Sequence, residues 1–328
     1  MKFLRSLFLL ALVIVVAGGA LLAYGTFGDR SRPLARTRVV IPTGTSFDGV
    51  LAILRQDGVV AHTLPLHLLA RARDEETEVR AGEYEFAPHE SESEVLHALV
   101  TQGEAVAQWV TIPEGFTSEQ IATRLQAAGI GDAATFTHAF ASDSTVIDGA
   151  RTKNLEGFLF PDTYLVPVGA PPGEIEQQFE TAFSSALPRD AAQRARALHL
   201  SVPQVVTVAS LVEREAKVDR DRPLIAGVIY HRLQLGMPLE IDATIEYALP
   251  HHKTELSRSD LAIDSPYNTY LHAGLPPTPI ANPGRASLEA AFHPASTKAL
   301  YYVYCGGGRH AFADTLAEHQ ANVARCLR

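Results

Sequence analysis

The chain has 328 residues, 46% of them hydrophobic and 20% charged, enough for two domains and an ordinary composition for a protein that buries a core. Its formal net charge of −9 excludes wholesale attraction to nucleic acid, and no local basic patch compensates for it. Two cysteines, Cys305 and Cys326, support at most one disulfide, and the bonded and free forms stay open at this stage. None of the 13 histidines stands in a ligand spacing such as HExxH, so neither a metal nor a cofactor is expected.

Residues 1–6, with Lys2 and Arg5, read as a short cytoplasmic tail ahead of an uncharged apolar run over residues 7–25. That run reaches the lower end of what spans a bilayer and exceeds a usual signal-peptide core. The small residues Ala17, Gly18, Gly19 and Ala20 would suit a signal peptidase. The shortness of the preceding tail favours instead a single-pass transmembrane anchor, with the remainder outside the cytoplasm. Residues 26–37 read as a linker.

A weak internal repeat follows. "VIPTGTSFDGVLAILRQDGV" (40–59) aligns without gaps on "TIPEGFTSEQIATRLQAAGI" (111–130). Each copy predicts a strand, a Pro-x-Gly turn, a Ser or Thr helix cap and a short amphipathic helix stopped by Gly. Between them, "AGEYEFAPHESESEVLHALVTQG" predicts a further strand and a capped helix. Residues 38–135 are therefore read as a small α+β region, whose strand–turn–helix pattern resembles the LysM-type carbohydrate-binding module. Residues 136–153 carry few landmarks and read as a connector. Residues 154–328 are expected to form a larger α+β domain.

Within it, "ASLVEREAKVD" (209–219) sets two glutamates one residue apart on a predicted helix that starts at Ser201 and Pro203. Its apolar stripe is Val205, Val208, Ala209, Val212 and Ala216. Neighbours at i and i+2 do not face each other, so Glu213 and Glu215 cannot act as a pair. Glu213 has Lys217 at i+4, an arrangement that suits a solvated ion pair. Glu215 has Val208, Leu211 and Val212 behind it and Asp219 one turn on, which favours its protonated form. A protonated glutamic acid near neutral pH is what cleavage of a glycosidic bond requires.

The text around these glutamates is rich in aromatic, amide and hydroxyl groups. "EGFLFPDTYLVP" (156–167) is one such segment. "GVIYHRLQLGMPLEIDATIEYAL" (227–249) predicts a helix, a Gly-Met-Pro turn and a polar strand or loop with Asp242 and Thr244. "SPYNTYLHAGLPPTPIANPG" (265–284) is too rich in Pro and Gly for regular structure, yet carries Tyr267, Asn268, Thr269, Tyr270 and Asn282. "YYVYCGGGRHAFADTLAEHQANV" (301–323) predicts a strand, a glycine turn with His310 and Phe312, and a closing helix. Ring faces beside such polar groups suit a sugar groove.

Together, "EGFLFPDTY", "ASLVEREA", "HRLQLGMPLEID", "YNTYLHAGLPPTPIANPG", "AAFHPA" and "GGRHAFADTLAEH" resemble the endolytic murein transglycosylase (YceG-like) family. The resemblance implies an α+β protein with one N-terminal transmembrane helix, a small LysM-like region and a larger catalytic domain. It implies location in the inner membrane with the catalytic domain facing the periplasm. The activity implied is cleavage within peptidoglycan glycan strands between N-acetylmuramic acid and N-acetylglucosamine, with peptidoglycan synthases of the penicillin-binding class as partners. It assigns catalysis to Glu215, acting first as acid and then as base while the sugar's own C6 hydroxyl closes a 1,6-anhydro ring. Glu213, Asp242, Thr244, Tyr267, Asn268, Thr269, Tyr270, Asn282, His310 and Phe312 are the expected substrate-binding residues. The chain departs from the family pattern at Ala243, where Pro is usual, and at Gln320, where Asn is usual. Two rival functions are a muramidase-type hydrolase, with Asp242 or Asp162 activating water, and a non-catalytic cell-wall anchor.

Overall fold

The computed structural model describes residues 16–19, 36–42, 44–88, 90–102, 107–251, 253 and 255–326. Most of the expected anchor and linker lies outside them. Among the described residues no single helix is long and apolar enough to cross a membrane. The described chain is α+β and divides into two compact units, residues up to 108 with 165–171, and residues 109–164 with 172–328.

The first unit begins with β1 (Thr37–Ile41), α1 (Phe47–Gln56) and α2 (Thr63–Arg73), then β2 (Gly82–Phe86) and α3 (Glu92–Thr101). Strands β1 and β2 pair antiparallel from Thr37↔Phe86 to Ile41↔Gly82. Alternation turns Val39, Ile41, Tyr84 and Phe86 inward, where they meet Leu54, Leu66, Leu96 and Leu99 from the helices. The expected capped helix is present as α3, with a reciprocal capping box between Ser91 and Glu94. Helix α2 was not expected from the sequence.

The second unit opens with β3 (Ala107–Thr111) and α4 (Ser118–Ala127), so the expected 38–135 region is divided between the two units. The repeated sequence does give repeated local structure. Gly44 and Gly115 both take φ near +77° in their turns, and Gly58 and Gly129 both take positive φ after their helices, a conformation that favours glycine. Ser46 and Thr117 cap α1 and α4 through equivalent side-chain bonds. The segment read as a connector is structured: α5 (Ala133–Ser142) buries Phe136 and Phe140, and β4 (Val146–Ile147) pairs with β5 (Ala150–Arg151). Strand β6 (Thr163–Pro167) pairs with β3.

The rest of the second unit is built around one helix. After α6 (Pro172–Ala186) and α7 (Ala191–Ala197), the chain enters α8 (Val202–Glu215), capped as expected by a Ser201–Gln204 box. The sequence predicts a single apolar stripe, but every residue from Val205 to Val212 is buried. So many β-branched residues make a poor isolated helix, and burial on all sides is what holds it. Helices α9 (Arg222–Gln234), α10 (Asp242–Ala248) and α11 (Arg285–Phe292) pack against it together with α7. The expected closing elements follow as a hairpin of β7 (Tyr301–Tyr304) and β8 (His310–Ala313), then α12 (Leu316–Cys326). A disulfide between Cys305 and Cys326 joins the hairpin to the end of α12.

Asn282 ties the irregular 265–284 segment to this frame. Its side-chain oxygen accepts from the Gly157 and Leu159 amides, both at 2.9 Å. Its amide donates to the Phe116 carbonyl at 2.9 Å and to Glu156 at 3.0 Å. Glu156, buried and also bonded to Ser118 and Tyr247, is pushed up to about 7 by loss of solvation. Asn282→Ala would strand several buried polar groups, each costing about 1–3 kcal/mol. A fall of at least about 3 kcal/mol in unfolding free energy by urea titration is expected, and a fall below about 1 kcal/mol would contradict this account of Asn282.

Candidate active site

Helix α8 stops at Glu215 because Ala216 turns to an extended backbone, φ −68° and ψ 133°. Glu215 therefore occupies the last helical position, beside a cleft of about 1020 Å³ within the second unit. The break also corrects the expected surroundings of this residue. Asp219 is not one helical turn on; it lies in a separate 3₁₀ turn and pairs with Arg222 at 3.1 Å.

The Glu215 carboxyl is pushed up to about 7. Loss of solvation is the largest cause, and the negative charges of Asp242 and Glu246 add to it. A hydrogen bond from the Tyr302 hydroxyl and the charge of Lys217 pull the other way. The partial negative charge at the C-terminus of a helix also disfavours a carboxylate there. Asp242 has the opposite setting. It is exposed and opens α10, and it accepts a 2.6 Å bond from the Tyr270 hydroxyl. The expected strand or loop at 242 is thus a helix, and its first residue lines the cleft with Tyr270.

Arg232 anchors both walls. Its guanidinium donates to the Leu300 carbonyl at 2.6 Å, just before β7, and to the Pro238 and Leu239 carbonyls at 3.0 and 3.1 Å. It also pairs with Glu240 at 2.9 Å and lies 5.1 Å over the Tyr301 ring. One planar cation thereby ties the strand of Tyr302 to the segment that leads into Asp242. Sequence reasoning missed Arg232 and Tyr302, although both lie in segments it singled out. Nothing in spacing tells an anchoring arginine from a surface one.

Glu213 differs from its expected surface pairing with Lys217. Its side chain is only 7% exposed, and it pairs with Arg222 at 3.2 Å and accepts from the Gly284 amide at 2.9 Å. Arg222 is bonded in turn to Ser287. Glu114, from the second repeat's turn, reaches the same cleft and was also missed. Burial and the charge of Glu213 push its carboxyl up. The Glu114 carboxylate sits against Gly284, where a Cβ would displace it.

Of the other expected binding residues, His310 lines the cleft, but its ring is 4% exposed and bonded to Asp221 at 3.1 Å. Phe312 packs beside Tyr302 and His310 on the core. Thr244 and Thr269 are buried and bonded to each other at 3.0 Å, where they hold the start of α10. Asn268 is buried and bonds the Leu261 and Ile263 carbonyls. The Tyr267 hydroxyl bonds Thr278 at 2.7 Å, outside the cleft. Thr244, Asn268, Thr269 and Tyr267, with Asn282, use their polar groups in bonds that shape the loops. Among the described residues, no group of three His, Cys, Asp or Glu could hold a metal ion.

The YceG-like family matches residues 39–325. The chain is 32% identical to an endolytic murein transglycosylase of Bacillus subtilis over 93% of its own length and 89% of that protein's. It is 30% identical to an endolytic murein transglycosylase of Streptococcus pneumoniae over 87% of its length, which spans 57% of that longer chain. A crystal structure of a yceG-like protein from Listeria monocytogenes superposes with a TM-score of 0.59 at 29% identity, covering 87% of this chain and 98% of the other.

The elevated Glu215 pKa has a thermodynamic consequence whose sign is fixed. A carboxyl that binds its proton more tightly when folded contributes stability at low pH and loses it as pH rises through about 7. Glu215→Gln is therefore expected to be more stable than wild type at pH 8, by on the order of 2 kcal/mol. The difference shrinks toward pH 5, as read from denaturant midpoints across pH. Tyr302→Phe removes a bond that favours the carboxylate and should raise the Glu215 pKa further, measurable by NMR titration of the labelled carboxyl. A downward movement would exclude the assigned bond.

Proposed function

Since the chain belongs to the YceG-like family, we propose that it is an endolytic murein transglycosylase that uses Glu215 as its single catalytic residue. The observation that carries this reading is the place of Glu215 at the end of α8 on the lining of a cleft of about 1020 Å³, where loss of solvation pushes its carboxyl up to about 7. Glu215 protonates the glycosidic oxygen between N-acetylmuramic acid and N-acetylglucosamine as the C1–O bond breaks. The resulting carboxylate takes the proton from the C6 hydroxyl as that oxygen bonds to C1. No water is consumed, and the acid is regenerated. Asp242, anchored by Tyr270, lies close enough to Glu215 to raise its pKa and stabilises the positive charge that develops on the sugar ring.

In this reading the apolar run over residues 7–25 anchors the enzyme in the inner membrane, with the catalytic unit on the periplasmic side. The 38–135 region binds glycan in the manner of LysM modules. Partnership with peptidoglycan synthases would couple cleavage to strand growth. A second reading, a muramidase-type hydrolase, draws support from Asp242 itself, an exposed carboxylate in the same cleft that could activate water.

Digestion of purified peptidoglycan by the full chain in detergent, followed by mass spectrometry, distinguishes these readings. Anhydro-ended fragments are expected, with cleavage reduced about 10²–10⁴-fold in Glu215→Gln. Glu213→Gln should retain measurable cleavage. Fragments one water heavier would establish the hydrolase, and intact strands would remove the enzymatic reading. Because the acid must be protonated, the rate should fall about tenfold per pH unit once pH exceeds the Glu215 value of about 7.

A further inference from the structure

The cleft lined by Glu215 does not end at the turn before α4. Phe116 and Gln120 line both this cleft and a smaller groove of about 370 Å³, which runs on along α4 past Glu119, Thr123, Arg124 and Ala127. All of these residues belong to the second unit. The junction is fixed to the end of α8. The Gly115 amide donates to the Asn282 carbonyl at 2.9 Å, and the Phe116 carbonyl accepts from the Asn282 backbone at 2.8 Å and from its side chain at 2.9 Å. Gly115 also packs on Glu213, two residues before Glu215: a Cβ on it would lie 3.6 Å from the Glu213 Cγ. Two groups at this junction are left without protein partners. The half-buried Phe116 ring makes no ring contact among the described residues. Gln120 spends its side-chain oxygen on the cap of α4, accepting from the Thr117 amide at 2.9 Å. Its NH2 group, which carries two donors, bonds no protein group among the described residues. Along the groove the charge of Glu119 is balanced by that of Arg124, so the surface favours neither anion nor cation.

We propose that this groove is a subsite for a sugar of the glycan strand remote from the bond being cut. Phe116 stacks on the C–H face of the sugar ring, and the Gln120 NH2 donates to a hydroxyl or an N-acetyl carbonyl. The inference rests on the murein reading above. Cutting within a strand leaves sugars on both sides of the scissile bond, and a groove that opens off the cleft at Phe116 can take one of them. A sugar ring is neutral, with apolar faces and a polar rim. An aromatic face beside an unbonded amide, on a surface of balanced charge, matches that chemistry.

The test uses the full chain in detergent and peptidoglycan glycan oligomers of increasing length. Cleavage is read as kcat/KM for the shortest oligomer that wild type cuts and for one several sugars longer. Binding of the same pair is measured by calorimetry in a Glu215→Gln background. Phe116→Leu keeps an apolar side chain without the ring, and Phe116→Tyr keeps the ring. Gln120→Glu keeps the capping oxygen and removes the NH2 donors. In wild type, kcat/KM and affinity should both rise with length. Phe116→Leu and Gln120→Glu should each lower the long-to-short ratio about three- to tenfold, through KM, while Phe116→Tyr retains it. A purely structural role, or an altered charge near Glu215, would act on both lengths alike and leave the ratio unchanged. Equal losses at both lengths, or a wild type indifferent to length, would overturn the subsite and leave the cleavage reading intact. Length-dependent binding that Phe116→Leu weakens, without any cleavage by wild type, rejects only the enzymatic reading.

Discussion

The second unit has to hold one poorly solvated carboxyl group, that of Glu215, at the edge of an open cleft. Shifting Glu215 from 4.5 to about 7 disfavours its ionised form by on the order of 3 kcal/mol. A marginally stable domain carries such a burden only if something larger offsets it. Helix α8 does so. It buries every residue from Val205 to Val212, and full burial of each Val or Leu side chain contributes about 1.5–3 kcal/mol before entropy is counted. The same helix that makes the core thus delivers the glutamate at its C-terminal end, where core gives way to cleft.

Two helix ends with opposite partial charges meet that cleft. Glu215 closes α8 and Asp242 opens α10, so the backbone at the end of α8 adds to the forces that push the Glu215 carboxyl up. Arg232 sets the two walls relative to each other by bonding backbone on both sides. Replacing it with Lys would lose the planar fork that reaches both walls. Behind this layer, Arg222 satisfies Glu213 while Asn282 and Glu156 tie the Pro-rich loop to α8's neighbours. Buried polar groups of this kind stiffen the frame that holds the cleft.

The local elements were legible in advance because they obey short-range rules. Caps at Ser46, Thr117 and Ser201, the glycine turns of the repeat and the 301–313 hairpin all follow from neighbouring residues. Helix α5 was missed because Ala and Thr leave a faint period, and only packing of Phe136 and Phe140 reveals it. The side chains expected to bind substrate show what residue type alone does not reveal. Thr244, Asn268, Thr269 and Asn282 have the right chemistry for sugar hydroxyls, and in the fold they are buried and bonded internally.

What the sequence by itself determined was the capped helix that carries both glutamates and the family to which the chain belongs. These depend on residue type, spacing and order, which survive without coordinates. The tertiary structure alone decided which groups surround Glu215 and push its carboxyl up. Its like-charged neighbours are Asp242 and Glu246, not Asp219, and its hydrogen-bond partner Tyr302 lies 87 residues away (302 minus 215). Electrostatics falls off with distance through space, and separation along the chain does not measure that distance once helices end and strands return.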